Sequence, residues 1–307
     1  MNPFYTDYAK FLQRIFPGIK VQKISLNAGL SCPNRDGTLG TGGCTYCNNH
    51  TFNPDYCRPT SSITEQLEEG KHFFARKYPQ MKYLAYFQAY TNTYGEQSRL
   101  LAMYHEALQV DDVVGMIIGT RPDCMPDSLL LKLSELNRIK PIIIEYGAET
   151  SHNRTLDLVN RHHTWQQVED AVRRTHNFRL SCGLHLICGL PGENNDDILM
   201  TVKRACQLPI DTLKFHQLQI VKGSTLASQI ENNEIDVRTF SVDEYIDLCC
   251  KIIGIVPRSI AIERFVSQAP ADLLIAPRWG LKNYQFTNLL NNRLKVAIEQ
   301  ASAEVTQ

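Results

Sequence analysis

The sequence predicts an α/β fold, a partial (β/α)6 TIM-like barrel carrying a C-terminal extension. Three observations predict it. Six short runs, nearly continuous in apolar residues, recur at roughly thirty-residue spacing, as strands buried on both faces of a parallel sheet do. The stretches between them are long enough for crossover helices and open on helix-start signals. Six such units fall short of the eight that close a full barrel, so the sheet is expected to stay open.

The elements follow in order. The first strand is expected at 21–28, and a glycine-rich loop comes directly after it. The run SITE at 62–65 reads as a capping box. The helix behind it has Ile63 and Leu67 on one face, with Phe73 and Phe74 further along. Strands at 83–89 and 113–119 follow. Pro126 starts the next helix, which carries Leu130, Leu133 and Leu136. A strand at 141–147 precedes a helix capped by Thr164, and a strand at 184–188 precedes a helix beginning at 194–197. The last barrel strand is read as one run, 212–221. Beyond about residue 225 the alternation weakens to a helix at 241–253, a short run at 260–265 and a terminal helix near 283–300. Residues 1–225 are therefore read as the barrel, and 226–307 as an extension packed on it.

A chain of 307 residues with 43% apolar residues can bury a large core. Lys plus Arg and Asp plus Glu both total 32, so no net charge advertises a nucleic acid or a membrane surface. Ten cysteines are too sparse for a disulfide scaffold in a chain this long and fit a reducing compartment. Asp7, Lys10 and Arg14 come too early for a secretory signal, and no apolar run nears the roughly 20 residues that span a bilayer. The expected location is the cytoplasm, with no membrane partner.

The most informative local feature is the trio Cys32, Cys44 and Cys47, spaced C-x11-C-x2-C after the first strand. Three thiolates can hold three irons of a [4Fe–4S] cluster and leave the fourth open to a substrate or cofactor. Gly37, Gly40, Gly42 and Gly43 let the loop wrap an anionic inorganic core with backbone N–H groups. Two other readings compete: a structural zinc completed by His50 or Cys57, and a redox pair at Cys44 and Cys47. The third cysteine, the glycine wrap and the place after the first strand favour the cluster.

With Tyr46 between its last two cysteines, the trio resembles a long-spaced radical S-adenosylmethionine (SAM) motif. The stretch SCPNRDGTLGTGGCTYCN is similar to the YhcC/YtqA group, distant relatives of the elongator catalytic subunit and of the oxygen-independent coproporphyrinogen oxidases. The likeness continues through YFQAYTNTY, IGTRPD, EYGAET, LVNRHHT, HLICGLPGE, FHQLQIVKGS and APRWGL, nearly the whole chain. It implies a radical SAM barrel whose cluster cleaves SAM to a 5′-deoxyadenosyl radical, with an electron donor such as flavodoxin or ferredoxin. It also implies roles residue by residue. Tyr46 packs near the adenine. Backbone carbonyls at Ala89 and Tyr90, where many relatives have a glycine pair, accept from the methionine ammonium. Glu149 contacts the methionine or ribose, Arg161 pairs with the methionine carboxylate, and the backbone at Ile187 meets the adenine edge. His162 stands where relatives have glycine. No residue is assigned to the substrate, although His185 and His216 on strands, and Lys222 near the end of the last one, are candidates to face it.

The resemblance favours modification of a tRNA wobble uridine side chain. Arg173, Arg174, Arg76, Lys77, Arg278, Lys282, Arg293 and Lys295 are the basic residues available for such a partner. The alternatives are a radical enzyme acting on a small metabolite or cofactor precursor, which the zero net charge suits, and a non-enzymatic zinc-binding module.

Overall fold

The computed structural model describes residues 2–51, 53–75 and 80–305. Among them, β1 (Val21–Leu26), β2 (Lys82–Phe87), β3 (Val113–Thr120), β4 (Ile142–Glu149), β5 (Ser181–Cys188) and β6 (Thr212–Gln217) run parallel in chain order. Most side chains of β2 to β6 are buried, because the helices cover one face and the barrel interior takes the other, while the edge strand β1 is only half-buried. The crossover helices are α2 (Ile63–Ala75), α3 (Gln97–Gln109), α4 (Asp127–Asn137), α6 (Trp165–Asn177) and α7 (Asn195–Cys206); α1 (Tyr8–Ile15) precedes the sheet and α5 (Asn153–Leu158) is a short turn after β4. The expected starts hold. Ser62 and Glu65 bond each other's backbone N–H groups at 3.1 and 2.8 Å, and Thr164 with Gln167 and Asn194 with Asp197 form capping boxes.

The structure extends the six expected strands to seven. The run at 260–265 contributes β8 (Ala261–Arg264), which pairs parallel with β6 from Thr212 opposite Ala261. The expected strand at 212–221 divides. After β6 the chain turns, and Ile220–Val221 forms β7, pairing antiparallel with β9 (Leu274–Ala276) outside the main sheet. The Leu218 N–H bonds the Cys188 carbonyl at 2.8 Å at this turn, a contact with another strand that no local pattern encodes. Residues 225–305 add α8 (Thr225–Glu231), α9 (Val242–Ile255) and α10 (Asn283–Val305). Trp279 stacks on Phe286 of α10 at 5.8 Å, and its indole donates to the Phe240 carbonyl at 2.9 Å, which anchors the final helix.

The sheet ends on β1 and β8, which do not pair, so this is an open, curled half-barrel. The curl is visible in one side chain. Lys23 of β1 reaches Glu145 of β4 and Glu263 of β8, both at 2.8 Å. Lys214 of β6 also binds Glu145 and Glu263, at 2.9 and 3.0 Å, and donates to the Tyr86 hydroxyl at 2.9 Å. Burial opposes both lysine charges, yet the two carboxylates more than offset it and hold both above the ordinary lysine range. Glu145 is likewise held well below the usual carboxylate range by the two lysines, against the effect of its burial. These four groups balance one another in a hydrogen-bonded charge lattice where a closed barrel has branched aliphatic layers.

Candidate active site

The loop after β1 folds back on its own carbonyls. The Cys32 carbonyl accepts from the Arg35 and Asp36 N–H groups at 2.8 and 3.2 Å, and the Asn34 carbonyl accepts from Gly43 at 2.8 Å. Gly42 and Gly43 have φ of 83° and 84°, a consecutive left-handed pair that side chains resist. At Gly43 a Cβ would also come within 2.8 Å of the Arg35 guanidinium. The turn that follows closes with the Cys47 N–H on the Cys44 carbonyl at 3.0 Å, so both thiols emerge together.

The sulfurs are not bare. Asn34 Nδ2 and Arg161 Nη1 donate to Cys44 Sγ at 3.5 and 3.6 Å, and Asn49 Nδ2 approaches Cys47 Sγ at 3.9 Å. Burial and the adjacent Cys44 push the Cys47 thiol up to about 11. A metal that takes the thiolate directly reverses that cost. Cys32, Cys44 and Cys47 all line one cleft of about 1220 Å³, including its open mouth. Among the described residues, no three His, Cys, Asp or Glu side chains converge as a single-ion site would need. A cube hands each thiolate to a different iron, so its ligands need not meet at one point as those of tetrahedral zinc must. The His50 side chain lies outside the described residues, and Cys57 is engaged elsewhere, its thiol donating to the Ser25 carbonyl at 2.8 Å.

The strand ends supply the rest of the cleft. Tyr46, Tyr90, Glu149, Arg161 and Ile187 line it; Ala89 is buried just outside the lining. Tyr46 packs against the apolar group of Ile187, Leu190 and Leu218. Arg161 is the junction, because its Nη2 donates to the Gly147 carbonyl at 2.7 Å and lies 3.3 Å from Glu149 Oε1 while Nη1 holds Cys44. Glu149 is raised by burial, which Arg161 and Arg121 only partly offset. Tyr90, Glu149 and His162 have φ of 63°, 64° and 56°. His162 therefore keeps the left-handed geometry that glycine would adopt, at a cost of roughly 1 kcal/mol.

Sequence reasoning assigned no role to Arg121, though its motif IGTRPD was in view. It is almost wholly buried, forks onto Asp123 with two bonds of 2.9 Å and lines the same cleft. Tyr86 and Gln88, in the motif YFQAYTNTY, line it too, as do Arg264 and Lys214, which lie in none of the quoted motifs. His185 and His216 do face it, their rings 4.6 Å apart. Lys222 does not line it.

Comparison with known proteins decides the family. The model of the Radical SAM superfamily matches residues 36–205, and that of the Radical_SAM C-terminal domain matches 210–296. The chain belongs to the radical SAM superfamily. It is 34% identical to Bacillus subtilis YtqA, covering 91% of this chain and 86% of that protein. It is 37% identical to Escherichia coli YhcC, covering 85% and 83%. A tRNA uridine(34) acetyltransferase of Methanocaldococcus jannaschii is 23% identical over 53% of this chain and 30% of its own length. The solved structure of Methanocaldococcus infernus Elp3 superposes with a TM-score of 0.64 at 16% identity, over 92% of this chain and 64% of that one.

As a radical SAM enzyme the protein takes a [4Fe–4S] cluster and SAM and needs a reductant. The donor set suits both groups. The cleft offers three thiols, N–H donors aimed at two of them, and Arg121 Nη1 and Arg161 Nε buried without an acceptor among the described residues. No helix among those residues is long and apolar enough to cross a membrane.

Proposed function

We propose that Cys32, Cys44 and Cys47 hold the cluster and that SAM lies between them and the ends of β2 to β5. We propose further that the enzyme modifies the side chain at the 5-position of a tRNA wobble uridine. When bound, the reduced cluster and SAM supply a 5′-deoxyadenosyl radical that takes a hydrogen atom from the substrate. The chain's own work is orientation. Arg161 and Arg121 present cationic forks to the methionine carboxylate, and Glu149 and the backbone at Ala89 and Tyr90 face its ammonium. Tyr46 and Ile187 give the adenine an apolar wall that excludes water. The observation that carries this placement is Arg161, which touches Cys44, Gly147 and Glu149 at once.

The tRNA reading is supported by the partial likeness to an enzyme named for uridine 34. The basic surface available to it is narrower than the sequence offers. Arg174 is bound to Asp170 and Asp127, and Arg293 to Asp243 and Asp247. Arg173, Arg278, Lys282 and Lys295 remain; Arg76 and Lys77 lie outside the described residues. On this reading residues 1–225 form the catalytic core. Residues 226–307 lend β8 to its sheet and complete the RNA-facing surface, and cytoplasmic flavodoxin or ferredoxin supplies the electron. A small-metabolite substrate is the second reading, favoured by the zero net charge and the polar barrel interior.

Anaerobic reconstitution tests the whole. The expected result is about four irons with sulfide per chain and 5′-deoxyadenosine formation stimulated by tRNA from a deletion strain. An unchanged tRNA nucleoside profile in that strain would remove the tRNA reading. One zinc and no sulfide would remove the radical one.

A further inference from the structure

The cleft continues past the proposed SAM site to a floor made by β4, β5, β6 and β8. Three side chains there do no work in the reading above. His185 and His216 stand side by side, and Arg264 projects from β8 into the same space. Arg264 Nε and His185 Nε2 are both buried without a hydrogen-bond partner among the described residues. His216 Nδ1 lies 2.9 Å from the Gln217 carbonyl, so that nitrogen carries the proton and donates. Nε2 is then an acceptor, unable to serve Arg264 as a counter-charge.

The charge account of this floor does not close. Lys23 and Lys214 balance Glu145 and Glu263. Arg161 faces Glu149, and Arg121 faces Asp123. Arg264 meets no carboxylate among the described residues, and burial together with neighbouring cations keeps both histidines neutral. One positive charge is left over in a low-dielectric pocket, which favours a ligand carrying one negative charge.

We propose that Arg264 and His185, whose ring packs on His216, form a substrate subsite for a single carboxylate group. A carboxylate fits better than a phosphate because Arg264 is the one cation of this floor that meets no carboxylate among the described residues, and because Glu149 Oε2, 4.0 Å from His185 Nδ1, repels a dianion more than a monoanion. The inference rests on the placement of SAM in the outer part of this cleft and deepens it: the reacting part of the substrate bears, or ends in, a carboxylate held on β8.

The test is calorimetric titration of the reconstituted holoenzyme, saturated with SAM, with acetate, with inorganic phosphate and with chloride as the ionic-strength control. Acetate should bind once per chain. Arg264→Gln should weaken it tenfold or more, the effect of losing a charge-assisted bond, whereas Arg264→Lys should stay within a few-fold. Acetate affinity unchanged in Arg264→Gln, or phosphate binding tighter than acetate, would overturn the proposal. If SAM itself does not bind, the cofactor placement fails, and the acetate titration run without SAM still reads Arg264 separately.

Discussion

Arg161 ties the cysteine loop to the end of β4 through one planar group, so its replacement has a separable effect. Arg161→Ala should lower SAM affinity tenfold or more while the iron content stays at the wild-type level, as equilibrium binding and iron analysis would register. Unchanged affinity would show that the methionine carboxylate is held elsewhere. Asn34 is a second such position, fully buried with Nδ2 on Cys44 Sγ. An N–H donated to a thiolate stabilises the more negative, reduced cluster. Asn34→Leu should therefore shift the cluster's midpoint potential downward in an EPR-monitored titration, and an upward shift would contradict the bond. The cysteines were legible because ligand spacing lies within one loop. Arg121, in the turn after β3, and Arg264, on β8, were not, because an arginine's sequence context does not say which cleft its side chain enters or whether a partner waits there.

Among the elements, α2 is read correctly from its capping box, yet its packing hangs on a glycine that the helical pattern treats as a defect. A Cβ at Gly70 would lie 2.3 Å from Ile24 Cγ2 on β1. In an exposed helix Gly→Ala stabilises by about 1 kcal/mol. Here the overlap dominates, and Gly70→Ala should cost roughly 1–3 kcal/mol, measured as a lowered melting midpoint. A raised midpoint would mean that α2 can slide off β1. The division of 212–221 into β6 and β7 escaped the sequence for a related reason. FHQLQIV has no Gly or Pro to mark where the run leaves β5 for β9, and both of those partners lie in distant segments. The run at 260–265 is legible as an element, yet its place as β8 in the main sheet is not, because its pairing with β6 joins segments far apart in the chain.

For the molecule as a whole, the open sheet replaces an aliphatic filling with the Lys23, Glu145, Lys214 and Glu263 lattice. Lys214→Met leaves two buried carboxylates sharing one lysine and should cost about 3–5 kcal/mol, readable by thermal or urea unfolding. A neutral effect would mean that water already screens the lattice. The polar interior also makes stability depend on pH. Burial, with Arg264 and Lys214 adding to it, pushes His216 down to about 3. The unfolded chain, with an ordinary histidine near 6.5, then binds the extra proton between those values. Stability is accordingly complete above about pH 6.5 and falls as pH drops towards 3, by roughly 2 kcal/mol at pH 5 from this group. His216→Gln should flatten the fall in melting midpoint between pH 7 and pH 5, and an unaltered slope would show that His216 does not titrate differently on folding.

By itself the sequence determined the parallel α/β architecture, the helix starts and the cysteine trio, because these rest on periodicity, caps and ligand spacing within short windows. The tertiary structure alone decided the seventh strand, the left-handed turn held by His162 and the meeting of Arg161 with Cys44. It also decided the unbalanced charge of Arg264 on the cleft floor. Each of these depends on which residues face one another across the curled sheet, a relation between distant segments that no local pattern carries.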